Sequence, residues 1–197
     1  MNPKSSLYVS LDIEADGPIP GQNSMLSIGA AAFTLDSREP IDTFEANLRR
    51  LPEAVQDPDT MKWWATQKEA WEYVQRYLMD PQDAMMAFRE WLKNLPGKPT
   101  FVGYPATYDF MWSHWYLIKF TGEDPMGFSG MDLKTLASTL MGVPYHRAVK
   151  RNMPKKWFQG CPKHNHTALQ DAIGQGIMFV NMMNDQAIKG SASRTHP

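Results

Sequence analysis

With 197 residues, 43% of them hydrophobic and 21% charged, the chain suits one globular domain and is short for two. A net charge of −1 excludes an overall basic signature, and no apolar run approaches the roughly 20 residues of a membrane-spanning helix. The opening MNPKSSLYVS lacks a signal-peptide apolar core and Cys161 is the single cysteine, so a cytoplasmic, reducing location without internal disulfides is expected.

In chain order, SLYVSLDI reads as a buried first strand and MLSIGAAAFTL as a second ending near Thr34. DTFEANL makes a third, and the short connections predict an antiparallel meander. In QDPDTMKWWATQ, Asp57 caps a helix whose first position is Pro58. DPQDAMMAFREWLKNL repeats the device with Asp80 and Pro81, and its Ala84, Phe88, Trp91, Leu92 and Leu95 share one face. PTFVGY is a short fourth strand, followed by the helix YDFMWSHWYLIKFTG, which Gly122 closes. MDLKTLASTLMG is a helix capped by Asp132 and stopped by Gly142. Residues 143–165 carry Pro144, Pro154 and Pro162 with little periodicity, and so long an irregular segment is usually functional or mobile. HTALQDAIGQGIMFVNMMND is the last helix, which leaves a single domain over 1–184 and an expected flexible tail over 185–197. Strands followed by helices interleaved with a strand indicate an α/β domain with a mixed sheet.

SLDIEADG places acids where the first strand's apolar run ends. Alternate strand residues share a face, so Asp12 and Glu14 project together while Leu11 and Ile13 enter the apolar side. Neighbouring carboxylates repel and gain by protonation, and a divalent cation reverses that balance. Oxygen ligands favour a hard ion, Mg2+ or Mn2+. Taken alone, Asp-x-Glu is a common tripeptide that reads better as a solvated strand end. Asp109 just past the fourth strand, and Asp171 in the last helix with His166 five residues before it, alter that weighing. Each is an acid at the apolar opening of a helix, costly there unless paired or metal-bound. Cys161, His164 and His166 lack a fourth ligand nearby and do not make a zinc site.

The order and spacing of these residues resemble the DnaQ-like 3'-5' exonucleases, the DEDDh group, whose fold is ribonuclease H-like. Asp12 and Glu14 in LDIEADG match the first motif, Asp109 in YPATYD the second, and His166 and Asp171 in HTALQD the third. The resemblance spans residues 6–184, and PDTMKWW is similar to phage and bacterial exoribonuclease-like members. One departure is Tyr104-Pro105, where the family often has a His-Asn pair. The resemblance implies a mixed five-stranded sheet, antiparallel over its first three strands and flanked by helices. It also implies two divalent metal ions, Mg2+ or Mn2+, held by Asp12, Glu14, Asp109 and Asp171, with His166 as general base. The expected activity is removal of nucleotides from the 3' end of single-stranded DNA or RNA, and a homodimer is possible because relatives often pair. The alternative is a nucleic-acid-binding or polymerase-associated module with little turnover.

Between Asp132 and Asp171 there is no acidic residue, whereas Arg147, Lys150, Arg151, Lys155 and Lys156 fall there. They are candidates for the phosphate backbone; a solvated loop is the other reading. Tyr104, Tyr108, Trp63 and Trp64 are candidates to stack a base. Of the tryptophan pair, one is expected to be buried and the other exposed. Phe110 and Trp112 lie at helical spacing and fit a core better.

Overall fold

A computed structural model describes residues 6–163 and 166–192, with side chains through residue 186. Alternation decides the first strand. In β1 (Leu7–Ala15) the odd-numbered side chains Leu7, Val9, Leu11 and Ile13 are buried in one apolar layer. Tyr8, Ser10, Asp12 and Glu14 therefore take the other face. β2 (Met25–Phe33) is buried along its whole length and β3 (Asp42–Asn47) forms the exposed edge. β1 pairs antiparallel with β2 and β2 with β3, as expected. β4 (Pro99–Gly103) lies parallel to β1, and the three-residue β5 (Gly130–Asp132) lies parallel to β4. The sheet order is β3-β2-β1-β4-β5, a mixed five-stranded sheet.

Aspartate side chains cap three of the helix starts. The Asp57 carboxylate accepts from the Thr60 N–H at 2.8 Å ahead of α1 (Pro58–Trp64), and Asp80 accepts from Gln82 at 2.9 Å. α2 (Lys68–Val74) was not foreseen, because Gln67 supplies no side-chain cap and the helix has only seven residues. α3 (Pro81–Asn94) and α4 (Ala106–Thr121) cover the Leu11 face of the sheet, their Phe88, Leu92, Trp112 and Tyr116 forming that core. α5 (Leu133–Met141) and α6 (Ala168–Ala192) cover the opposite face. The helix predicted to end near Asp185 runs on to Ala192, so the expected tail is helical as far as that residue. Residues 193–197 and His164 lie outside the described residues.

The aperiodic segment is built of three short 3₁₀ turns, Tyr145–Arg147, Lys150–Asn152 and Lys155–Phe158. Ala148, Met153 and Trp157 plug it into the second core at intervals of four or five residues. Such spacing is too irregular for a periodicity argument, yet it anchors the segment along its length.

Candidate active site

Three distant elements bring the predicted acids to one place. Asp12 and Glu14 stand at the end of β1, on the face covered by α6. Asp109 lies buried in the first turn of α4 and accepts from the Ile13 N–H at 3.3 Å, which ties α4 to β1 at the site. Asp171 sits in the first turn of α6. The close approach of that turn depends on Gly29, which pairs with Asp12 across the sheet. A Cβ at Gly29 would lie 2.1 Å from the Leu169 backbone nitrogen. Gly176 permits a second close approach further along, against the ring of Phe33.

His166 precedes α6 with a φ of 55°, a left-handed backbone that histidine tolerates better than most residues. Its ring meets Trp63 edge-on with centroids 5.1 Å apart. Glu14, His166 and Asp171 offer ligand atoms that all lie within 4.8 Å of one another. All five predicted residues thus converge.

Their electrostatics are those of crowded like charges. Burial raises the Asp12 carboxyl well above the carboxylate range, and Asp109, Glu14 and Asp171 raise it further in that order. Glu14 is pushed up to about 8, by burial first and then by Asp171 and Asp109. Burial also takes Asp109 to about 8, against the opposing pull of the Ile13 N–H and Lys150. Such a cluster holds either protons or cations. Its four carboxylates suit hard divalent ions, and the imidazole stands at the rim. The thiol of Cys161 donates to Gly174 O at 3.3 Å.

The third acid of SLDIEADG has a different role. Asp16 is fully buried, accepts from the Ser24 N–H at 2.6 Å and pairs with Arg50 Nε at 2.9 Å. It organises the turn between β1 and β2. A register shift between Glu14 and Ala15 separates the two roles along the strand.

The substrate candidates divide. Trp63 is 39% exposed and faces an open cleft of about 420 Å³ with Glu14 and Tyr108. Trp64 is a correction: it is 1% exposed, with its indole N–H bonded to Ala15 O at 2.9 Å, so it supports the core and offers no surface to a base. Tyr108 donates to Gly17 O at 3.1 Å from the cleft wall. Tyr104 donates to Ala148 O at 3.0 Å, and the Lys150 ammonium lies 5.2 Å above its ring. Lys150 lines a second cavity with Asp171 and Gln175 and acts on both Asp12 and Asp109. Arg147, Arg151 and Lys155 are exposed. Lys156 is exposed and pairs with Asp185, about 21 Å along α6 from Asp171 at 1.5 Å per residue. Trp112 is core as expected, and Phe110 packs beside it.

One residue was missed. The Gln175 amide donates from Nε2 to Asp12 Oδ1 at 2.8 Å. The available signal was its place four residues after Asp171, on the same helical face.

Comparison with known proteins agrees with this geometry. Residues 8–183 match the family model of the 3'-5' exoribonuclease Rv2179c-like domain. The 3'-5' DNA exonuclease Cap18 of Escherichia coli is 30% identical over 183 residues, covering 91% of this chain and 92% of that protein. The nuclease domain of 3'hExo, a DEDDh family member solved with rAMP, superposes with a TM-score of 0.66 at 15% identity over 91% of this chain and 92% of that one. Pop2p of S. pombe, in a form binding Mg2+ and Mn2+, superposes with a TM-score of 0.61 at 15% identity, over 90% and 82% of the two chains. Because the family match runs through every element that carries a site residue, the chain belongs to the Rv2179c-like 3'-5' exoribonuclease domain family and is a 3'-5' exonuclease.

Proposed function

We propose that this exonuclease shortens single-stranded nucleic acid from a free 3' end, one nucleotide at a time, by two-metal-ion hydrolysis. The observation that carries the reading is the convergence of Asp12, Glu14, Asp109 and Asp171, where burial and the neighbouring acids raise the affinity of Asp12 and Glu14 for positive charge. These four carboxylates would hold Mg2+ or Mn2+. When bound, such ions supply Lewis-acid stabilisation of the charge developing on the scissile phosphate and make water a better nucleophile.

The chain's own groups supply the rest. His166, beside Glu14 and Asp171, accepts the proton of the attacking water, a role suited to a neutral imidazole near pH 7. Trp63 and Tyr108 offer ring surface for the terminal base in a cleft large enough for one nucleotide. Lys150 faces the phosphates beside the acids, and Arg147, Arg151 and Lys155 continue a basic track whose contacts are salt-sensitive and independent of sequence. The family description names an exoribonuclease and the Escherichia coli relative is a DNA exonuclease, so both sugars belong in the assay.

The test uses 5'-labelled single-stranded RNA and DNA, with free or blocked 3' ends, in chelator and then in Mn2+. Stepwise shortening of free ends in Mn2+ alone is expected, and Asp12→Asn should lose more than ~10²-fold in rate while still folding. Shortening in chelator, undiminished activity of the Asn variant, or cleavage of blocked chains would overturn the reading.

A further inference from the structure

We propose that Gln175 is a positioning residue of the metal site, aiming the Asp12 carboxylate at the ions; this rests on the metal reading above. Gln175 is 4% exposed and projects from α6 four residues beyond Asp171, so one helical face presents an acid and, a turn later, the donor that holds a second acid. Its Nε2–H occupies Asp12 Oδ1 at 2.8 Å. A carboxylate free to rotate would spread its oxygens over several directions. A fixed amide donor on one oxygen leaves the other lone pairs aimed into the pocket. Hydrogen-bonding partners of metal-ligating carboxylates tune affinity in this way.

The other end of the amide argues the same role. Gln175 Oε1 is buried with no hydrogen-bond partner among the described residues. A buried carbonyl without a donor is unfavourable to folding, so an apolar side chain of equal length would serve the core better. What Gln175 does that methionine cannot is donate to Asp12.

The experiment compares wild-type protein with Gln175→Met, which keeps length and loses the donor, and Gln175→Ala, which also removes volume. Mn2+ affinity is measured by titration without substrate, alongside the metal-free melting temperature and steady-state kinetics. Both variants are expected to bind Mn2+ about 10–100-fold more weakly and to need that much more Mn2+ for half-maximal rate. At saturating Mn2+ the KM for nucleic acid should be unchanged, and metal-free Gln175→Met should melt no lower than wild type. A folded variant that binds Mn2+ within twofold of wild type would overturn the proposal. So would a raised KM at unchanged Mn2+ affinity, which would make Gln175 a substrate contact. Wild-type protein that takes up no Mn2+ would overturn the metal reading and this proposal with it.

Discussion

Within eight residues, SLDIEADG makes one kind of side chain serve two purposes. Asp12 and Glu14 lie in a pocket where each carboxylate disfavours the next, whereas Asp16, also buried, is matched by a backbone N–H and the Arg50 guanidinium. A buried acid facing a guanidinium stabilises a turn, and acids crowded against one another create demand for a cation. His166 extends the argument at the same scale. It stands beside Glu14 and Asp171 with one edge against Trp63, oriented by contact and by a left-handed backbone. His166→Ala should therefore lower kcat about 10²–10⁴-fold and leave Mn2+ affinity nearly intact, as single-turnover kinetics and a metal titration would show. An unchanged rate would remove His166 from the role of base.

The decisive feature among the elements is how closely α6 lies on the sheet. Gly29 and Gly176 leave room for it, the first under the turn that carries Asp171 and the second against Phe33. Since Gly29 faces Asp12 in the strand register, one absent methyl sets the spacing between two acids from different elements. Gly29→Ala should push the start of α6 outward, costing at least the ~1–3 kcal/mol typical of overpacking and lowering the exonuclease rate. Denaturant melts and initial rates measured together would check this, and a fully active, fully stable variant would contradict it. The α1 tryptophans show the same dependence on placement. Trp64 closes over β1 through Ala15 O, and Trp63, one residue earlier on the helix, is left at the cleft.

At the scale of the whole molecule, the acid pocket links folding to pH. Glu14 titrates at an ordinary 4.5 when unfolded and at about 8 in the fold, and Asp109 at 3.8 and about 8. Between roughly pH 5 and 8 the metal-free native state keeps protons that the unfolded chain has released, so stability falls as pH rises across that window. In chelator the melting temperature should therefore drop from pH 5.5 to pH 8. Added Mn2+ should restore it, with a greater gain at pH 8 than at pH 6, because the cation replaces protons already leaving. A metal-free melting temperature that rises over the window would show that the acids do not share one pocket. Scanning calorimetry at three pH values decides it.

Local physical chemistry alone determined a good deal of this protein. Period-two alternation in β1, the Asp-Pro starts of α1 and α3, the glycine stops after α4 and α5, and the order of four acids and a histidine are all properties of short segments. Each depends on neighbours a few residues away, which is why it was readable. The seven-residue α2 has no side-chain cap and escaped notice for the same reason. What the tertiary structure decided were relations across the chain. It assigned Asp16 to the turn, buried Trp64 beside an exposed Trp63, drew Lys156 to Asp185 and left Lys150 at the acids. It also brought Gln175 to Asp12 across 163 positions. Those outcomes follow from strand order and from the depth at which α6 rests on β2, and no local period encodes either.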